Sequence, residues 1–334
     1  MRVLVTGGCG FIGTNVVRSW RKARPDWTLV NLDKLTYAAN PENLADLERD
    51  SKYVFVRGDI GNEELVSHLL ESQKIDAVVH MAAESHVDRS ILGPGIFIES
   101  NVRGTQVLLD ACKRAKTARF VMVSTDEVYG SLGPTGLFTE TTPLAPSSPY
   151  SASKAAADLI ALAYHHTFKL DVVVTRCSNN YGAYQFPEKF IPLMVTNALR
   201  DESLPVYGDG GNVRDWIHVE DHASGIMAAL ERGKAGETYN FGGASERKNI
   251  DVAKQILAQL KKPETLLKFV QDRAGHDRRY AIDCGKIERE LGYQAQVALT
   301  SGLRSTFDWY VQNEWWWRGV MDGSYQRWIE THYR

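Results

Sequence analysis

The chain has 334 residues, a length that fits one enlarged α/β domain or two lobes sharing a cleft. Hydrophobic residues make up 43% of it and charged residues 24%, which is ordinary for a globular protein with a sizeable core. The formal net charge of −2 argues against a nucleic-acid partner, and no apolar run approaches the ~20 residues of a membrane span. Four scattered cysteines and the lack of a leader pattern favour reduced thiols and a cytoplasmic location.

Short apolar strands alternate with helical patterns along the first half of the chain. We predict strands at 1–5, 27–32, 53–56, 76–81, 119–123 and 171–175, and helices at 14–22, 63–72, 96–115 and 150–168. This alternation predicts an α/β fold with a doubly wound parallel (Rossmann) sheet, whose ligands bind beyond the carboxyl ends of the strands.

Loops become longer and richer in proline, glycine and aromatic residues after about residue 180. We therefore predict a dinucleotide-type domain over 1–180 and a smaller C-terminal lobe over 181–334. A segment near 215–242 is expected to return to the first domain, with a helix at 219–232 and a strand at 237–241. Four tryptophans near the C-terminus are expected to pack against the body: Trp315, Trp316, Trp317 and Trp328.

Three glycines follow the first strand and open the helix after it. Gly7, Gly10 and Gly13 let the backbone approach a pyrophosphate whose charge rests at the helix N-terminus. A tight strand–helix turn would explain the glycines alone, but Asp33, about 20 positions further on, favours dinucleotide binding. A carboxylate there accepts from a ribose and repels a 2′-phosphate, which favours NAD over NADP. Asp59 is predicted either to contact adenine or to cap the next helix.

A tyrosine and a lysine stand one helical turn apart at the start of the helix predicted at 150–168. Tyr150 and Lys154 are neighbours on one face of that helix. A nearby ammonium lowers the pKa of a tyrosine, ordinarily about 10, and so makes the phenolate a usable base near neutral pH. An exposed tyrosine and lysine on a helix surface would show the same spacing, so the prediction depends on the dinucleotide pattern before it.

Two adjacent carboxylates, Asp126 and Glu127, come directly after the fifth strand and Thr125. Neighbouring carboxylates in a cleft do not both ionise easily, so one is expected to stay protonated as an acid while the other is a base. An acid and a base on one substrate predict elimination of water beside a carbonyl made by oxidation. An acidic loop on the surface is the alternative interpretation.

Together these motifs resemble the extended short-chain dehydrogenase/reductase family, and within it the nucleotide-sugar 4,6-dehydratases. The resemblance covers nearly the whole chain and includes 7–13, 82–90, 124–130, 150–154, 176–182, 184–189, 207–210, 212–221 and 275–283. Ala183 and Ala274 stand where the family pattern has proline, which puts the rigidity of two loops in doubt.

The resemblance implies that NAD stays bound and that the substrate is dTDP-glucose. Tyr150 would take the proton of the sugar 4-hydroxyl, with Lys154 beside it, and Thr125 would hydrogen-bond the C4 oxygen. Glu127 would remove the C5 proton and Asp126 would assist loss of the C6 hydroxyl as water. The product would be dTDP-4-keto-6-deoxyglucose. A homodimer, paired through the helices after Ile96 and after Lys154, is also implied.

The same resemblance assigns binding residues. The residues expected around NAD are Gly7, Gly10, Phe11, Ile12, Gly13, Asp33, Lys34, Thr36, Asp59, Ile60, Ala82, Ala83, Ser85, Ser100, Tyr150, Lys154 and Asn180. The residues expected around the substrate are Ser85, Thr125, Asn179, Lys189, Tyr207, Arg214, Asn249, Arg273 and His276. For Arg214 and Arg273 a physical argument supports the same assignment, because a diphosphate is bound by charge-assisted hydrogen-bond donors. The alternative interpretation is that these two arginines form salt bridges on the surface.

Other functions share parts of this pattern. A nucleotide-sugar 4-epimerase resembles the chain but typically lacks the Asp-Glu pair, and a GDP-mannose dehydratase or a decarboxylase usually has a hydroxyl residue at the position of Asp126. A UDP-glucose 4,6-dehydratase would keep the pair, so uracil remains an alternative to thymine. A catalytically silent NAD-binding regulator is disfavoured by the presence of all five catalytic side chains. His218 and His222 have metal-like spacing without the zinc-protease pattern, so no metal is predicted.

Overall fold

The structure, a computed structural model, describes residues 1–321 and Gly323. Its strands are β1 (Arg2–Thr6), β2 (Thr28–Asp33), β3 (Tyr53–Arg57), β4 (Ala77–His80), β5 (Arg119–Thr125), β6 (Val172–Cys177), β7 (Asn179–Tyr181), β8 (Leu204–Tyr207), β9 (Val213–His218), β10 (Thr238–Phe241), β11 (Glu246–Lys248) and β12 (Leu267–Val270).

The helices lie mostly between the strands. They are α1 (Phe11–Ala23), α2 (Glu63–Ser72), α3 (Val87–Leu92), α4 (Gly95–Phe97), α5 (Gly104–Ala115), α6 (Pro149–Phe168), α7 (Phe190–Leu199), α8 (Val219–Arg232), α9 (Asn249–Gln259), α10 (Gly285–Leu291), α11 (Leu299–Gln312) and α12 (Glu314–Met321). Short 3₁₀ turns occur at Pro41–Leu47, Asp126–Tyr129 and Glu264–Leu266. None of the helices in the described part of the chain is long and apolar enough to cross a bilayer.

Seven strands form one parallel sheet in the order β10-β6-β5-β4-β1-β2-β3. Successive residues of β1 belong to different cores: Val3 and Val5 pack in one hydrophobic cluster, and Leu4 packs in the other. Side chains alternate across a strand, so this division means that both faces of the sheet are covered by helices. The predicted doubly wound parallel sheet is confirmed.

The returning strand predicted at 237–241 also joins this sheet. β10 pairs in parallel with β6, and Asn240 lies opposite Arg176. The other strands form two small sheets, in the orders β11-β9-β7 and β12-β8, beyond the carboxyl end of β6. The division into two domains near residue 180 stays a prediction, because the described chain packs one hydrophobic cluster across both parts.

The helix predicted at 96–115 is not uniform. Residues Ile98–Arg103 form a π-helical segment between α4 and α5. This widened turn carries Asn101, which is buried; its amide oxygen accepts from the Glu84 nitrogen at 2.9 Å and its amide nitrogen donates to the Glu84 oxygen at 3.0 Å. The π segment thereby fixes the loop after β4, in keeping with the frequent occurrence of such segments at functional sites.

The expected packing of the C-terminal tryptophans holds for part of the cluster. Trp316 and Trp317 are buried, and the Trp316 indole donates to the side-chain oxygen of Asn43 at 2.7 Å. Trp315 is 65% exposed, so the predicted packing was wrong for this residue. Trp316 and Trp317 occupy the buried face of the short helix α12, which leaves Trp315 on the outer face. Trp328 lies outside the described residues.

Candidate active site

A cleft of about 310 Å³ opens beyond the carboxyl ends of the central strands. This is where an open parallel sheet binds its ligands, and the volume lies in the usual range of small-molecule sites. Every residue that the sequence predicts around NAD lines this cleft, together with Thr125, Asp126, Glu127, Asn179 and Lys189. The structure thus brings the cofactor and catalytic sets into one space.

The glycine loop has the shape that a dinucleotide needs. A Cβ atom on Gly7, whose φ is 75°, would lie 2.8 Å from the backbone of Ala82, so glycine lets this turn pass close to the end of β4. A Cβ atom on Gly10 would meet only the Gly7 oxygen, at 3.4 Å, which leaves its cleft side open. Gly10 is also the N-cap of α1 and makes no side-chain cap, so the first N–H groups of this helix can receive a phosphate.

Three charged side chains line the adenosine end of the cleft. The Asp33 carboxylate accepts from the backbone nitrogens of Cys9 and Leu35, at 2.9 and 2.8 Å, and burial raises its pKa. Asp59 pairs with the Lys34 ammonium at 2.6 Å; burial opposes ionisation, but this ammonium and the Gly61 N–H outweigh it and lower the Asp59 pKa. Asn62, not Asp59, caps α2, so the capping interpretation of Asp59 was wrong.

Tyr150 and Lys154 lie on the first two turns of α6, deep in the cleft. The Ser148 capping box starts this helix, with Pro149 at its first position. The Lys154 ammonium donates to the Val123 oxygen at 2.8 Å, and burial lowers its pKa to about 8. Burial, with the Glu127 charge next, raises the Tyr150 pKa well above its ordinary value. The pKa of Tyr150 is therefore raised and not lowered as the sequence predicted, because burial is the largest influence on it.

The two carboxylates lie in the turn after β5, where Asp126 is buried and Glu127 is half-buried. Asp126 is 1% exposed, and burial, followed by the Glu127 charge, raises its pKa well above the ordinary value. Burial also raises the Glu127 pKa, while Arg273, Arg214 and Lys189 act in the opposite direction. A surface acidic loop is excluded by this burial, and the pair has the environment of an acid beside a base.

Two buried polar atoms in this cleft find no partner within the described chain: Asp126 Oδ2 and Asn179 Oδ1. Buried polar groups are nearly always hydrogen-bonded, so atoms like these, aimed into a cleft, fit a polar ligand. Carboxyl and amide oxygens suit a sugar, whose several hydroxyl groups can donate to them.

A basic cluster lies beside the carboxylates. Arg273 contacts the Asp88 carboxylate at 3.3 Å, and Tyr207 stands edge-on to the His276 ring at 5.9 Å. Arg214 donates to the Asp277 oxygen at 2.9 Å and lies 4.2 Å from the centre of the Tyr280 ring. The Nε of Arg273 is buried and unpartnered in the described structure.

The two remaining predicted substrate residues flank these groups. Asn249 opens α9 next to β11, which pairs with the strand of Arg214, and its side-chain oxygen is buried without a partner in the described residues. Lys189 donates to the Ser85 oxygen at 2.7 Å, which joins the rim of the cleft to the loop after β4. Of the nine predicted substrate residues, Ser85, Thr125, Asn179 and Lys189 line the cleft itself. The charges of Arg214 and Arg273 act on Glu127 in that cleft.

Sequence reasoning missed some of the cleft residues. Glu84, Gln185, Phe186 and Glu188 line it but were not predicted as site residues. Glu188 stands directly before Lys189, and Gln185 and Phe186 belong to the same motif, so that motif was the available signal. Single carboxylates and aromatic residues in a loop carry no distinctive spacing, which is why they were passed over.

The histidines that suggested a metal have other partners. His218 is the N-cap of α8, where its Nδ1 accepts from the Glu220 nitrogen at 3.4 Å. His222 is buried and shares a hydrogen bond of 3.0 Å with the side-chain oxygen of Asn180. Across residues 1–321, no three His, Cys, Asp or Glu side chains are gathered as metal ligands would be.

Comparison with known proteins gives the same assignment along the whole chain. The family model described as GDP-mannose 4,6 dehydratase matches residues 4–306. The dTDP-glucose 4,6-dehydratase of Xanthomonas campestris pv. campestris strain B100 is 53% identical over 341 residues, which is 97% of each chain. The crystal structure of DesIV, a dTDP-glucose 4,6-dehydratase from Streptomyces venezuelae with NAD and TYD bound, superposes with a TM-score of 0.93 at 52% identity, covering 96% of this chain and 100% of that one.

This chain belongs to the dTDP-glucose 4,6-dehydratase family. An epimerase shares the fold but is much less similar in sequence. The UDP-glucose 4-epimerase of Thermotoga maritima superposes with a TM-score of 0.88, covering 94% of this chain and 100% of that one, at 26% identity. The family assignment accounts for the adjacent carboxylates, which the oxidation of an alcohol alone would not require.

Proposed function

We propose that this chain is an NAD-dependent dTDP-glucose 4,6-dehydratase that converts dTDP-glucose into dTDP-4-keto-6-deoxyglucose and water. The observation that carries the proposal is the adjacent Asp126–Glu127 pair, of which Asp126 is buried and Glu127 half-buried, lining the same cleft as Tyr150 and Lys154. Full-length relatives named dTDP-glucose 4,6-dehydratase are about half identical to the chain, which favours thymine over uracil as the base.

The first step is oxidation at C4 of the glucose. NAD held by this cleft would supply the hydride acceptor for oxidation at C4 and the hydride donor for reduction at C6. Tyr150 takes the proton of the 4-hydroxyl, and Thr125, whose hydroxyl neighbours the phenol and the Asp126 carboxyl, holds the C4 oxygen. Lys154 keeps a positive charge at this end of the cleft and favours the phenolate once the proton is shared with substrate.

Elimination of water follows oxidation, because the new C4 carbonyl acidifies the C5–H bond. Glu127 removes that proton as the base, since three cations lie around it. Asp126 protonates the departing C6 hydroxyl, since burial and neighbouring carboxylates keep its proton in place. The proton and hydroxyl leave as one water, so the cycle has no net oxidation.

The diphosphate and sugar are proposed to lie against the basic cluster. Arg214 and Arg273 are the charge-assisted donors for the diphosphate. Asn179, Asn249 and the Arg273 Nε offer the unpartnered atoms that polar groups of the substrate would satisfy. The remaining substrate contacts are proposed for Ser85, Lys189, Tyr207 and His276.

The test is incubation of the purified protein with dTDP-glucose and no added cofactor, with the product followed by mass and by alkali-induced absorbance of the keto sugar. Loss of one water with no net NADH is expected. An unchanged mass with dTDP-galactose as product would instead identify an epimerase. Parallel reactions with UDP-glucose measure the preference between thymine and uracil.

We further propose a homodimer. Apolar side chains are exposed on neighbouring segments that pack against one another: Ile91, Leu92, Ile96 and Ile98, and on α6 Leu159 and Phe168. Leu92 is 88% exposed, which is unusual for a leucine on a surface that stays in water. A second copy of the chain would cover this face, in agreement with the prediction for the helices after Ile96 and Lys154.

A cytoplasmic location is also proposed. The support is the state of the four cysteines, Cys9, Cys112, Cys177 and Cys284, all of which are free thiols. Burial raises the pKa of Cys112 to about 12, as it does for Cys177 and Cys284, so these thiols are poorly reactive. Free thiols are typical of reducing compartments.

A further inference from the structure

Three loops meet over one rim of the NAD cleft, and a single carboxylate joins them. Glu188 lies in the loop before α7. It accepts a hydrogen bond from the Tyr37 hydroxyl, in the loop after β2, at 2.8 Å. Its second oxygen accepts from Arg89, on α3 after β4, at 3.3 Å. The Glu188 side chain is only 17% exposed, so these contacts are partly shielded from water.

The same loops are joined a second time by stacking. The Arg89 guanidinium lies 3.7 Å from the centre of the Tyr37 ring, and Phe186 packs edge-on against that ring at 5.6 Å. His86 lies 3.8 Å from Glu188, on the same side. A cation over a tyrosine face and a charge-assisted hydrogen bond to the same tyrosine reinforce each other.

We propose that Tyr37, Arg89 and Glu188 form a clasp that retains NAD and NADH in the cleft throughout the catalytic cycle. Thr36 and Ala38, on either side of Tyr37, line the cleft, and so does Glu188, which the Tyr37 hydroxyl reaches from the other loop. The dinucleotide therefore cannot leave across this rim unless the tyrosine–carboxylate bridge opens.

The clasp rests on the proposed function, because a 4,6-dehydratase must keep its reduced cofactor bound between oxidation and reduction. The hydride removed from C4 must return to C6 of the same sugar, so release of NADH between the two steps would strand an oxidised intermediate. An ordinary dehydrogenase releases its reduced cofactor at every turnover and has no use for such a bridge. We assign the clasp residues a positioning role, because their own contacts are with one another.

The test measures cofactor release without substrate. Purified holoenzyme is diluted into NAD glycohydrolase, which destroys free NAD, and the NAD still bound is followed over time. We expect release about 10-fold faster for Tyr37→Phe, which loses one hydrogen bond to a charged group. Tyr164→Phe is the matched control: its hydroxyl donates to Asp110 at 2.8 Å, far from the cleft, and release should stay within about 2-fold.

Arg89→Ala provides the second variant, because the Arg89 side chain is 52% exposed and substitutions of exposed side chains change stability little. It should also release NAD faster, and saturating NAD should restore the rate of either variant on dTDP-glucose without a change in the substrate KM. Unchanged release in both folded variants would overturn the clasp. This outcome is distinct from failure of the proposed function, which would appear as inactivity of the unmodified holoenzyme.

Discussion

Asp126 and Glu127 share one buried turn but have opposite electrostatic surroundings. Burial raises the pKa of both carboxyls. At Asp126 the next contributions come from the carboxylates of Glu127 and Asp215, which add to the effect of burial. At Glu127 the next contributions come from Arg273 and Arg214, which oppose it. Two titratable neighbours driven apart in this way are the pattern of an acid and a base.

A Glu127→Gln variant should separate oxidation from elimination. The amide cannot take the C5 proton, whereas Tyr150 and Lys154 are unchanged. We expect NADH absorbance to appear when dTDP-glucose is added, and the rate of water loss to fall by about 100-fold or more. Full turnover by this variant would mean that another group is the base.

An Asp126→Asn variant should be more stable than the unmodified protein, and increasingly so as the pH rises. The folded-state pKa of Asp126 is raised, so the stability associated with its proton is present below the unfolded pKa of about 3.9 and is lost as the pH rises through the folded pKa. Asparagine does not titrate, so the variant does not lose this stability as the pH rises. The advantage in free energy of unfolding should grow by about 1 kcal/mol or more between about pH 5 and pH 8.

Urea denaturation at both pH values measures that difference, and activity should be lost in the same variant. Asp26→Asn is the control, because Asp26 is exposed. A difference for Asp126→Asn that is the same at both pH values would show that its carboxyl does not hold the proton in the folded state.

At the scale of elements, short turns at strand ends position the reacting groups. The 3₁₀ turn Asp126–Tyr129 begins at Thr125, whose hydroxyl accepts from the Glu127 nitrogen at 3.3 Å. The capping box at Ser148 sets the start of α6, and with it the depth of Tyr150 in the cleft. Local hydrogen bonds thus fix the direction of each side chain before any substrate arrives.

The loop that carries Arg273 and His276 lacks the proline of the family pattern. Gly275 has a φ of 63°, as the third residue of a type II turn requires, and Ala274 occupies the position before it that favours proline. We expect Ala274→Pro to increase the free energy of unfolding by about 0.4–1 kcal/mol, because it restricts the unfolded chain.

A stiffer loop should also lower the KM for dTDP-glucose, because Arg273 and His276 would lose less freedom on binding. Ala244→Pro is the contrasting change: Ala244 has a φ of 48°, which proline cannot adopt, so this variant should lose stability. Destabilisation by Ala274→Pro would mean that the turn has another geometry in solution.

Within the described residues, α3, α4 and α6 expose an apolar face that the core does not use. Leu159 on α6 and Phe269 on β12 are each 58% exposed, but only Leu159 belongs to the proposed dimer surface. We expect Leu159→Glu to reduce the sedimentation mass from two chains to one, because the interface would bury an unpaired charge. Phe269→Glu, the matched control, should leave a dimer. A mass of one chain for the unmodified protein would contradict the proposed dimer.

The sequence by itself determined the parallel sheet, the glycine turn and the positions of Asp126, Glu127, Tyr150 and Lys154. These features are local: strand and helix periods, a glycine spacing and an i, i+4 pair are readable within a few residues. The π-helical segment Ile98–Arg103 could not be predicted this way, because its widened turn serves the buried amide of Asn101 and the Glu84 backbone.

Only the tertiary structure decided which groups face one another. It placed Arg273 and Arg214 against Glu127, and it joined Tyr37 to Glu188 across 151 positions of sequence. It also showed that burial raises the pKa of Tyr150. Electrostatic energies depend on distance and desolvation, and both are set by how loops from distant parts of the chain meet at the sheet edge.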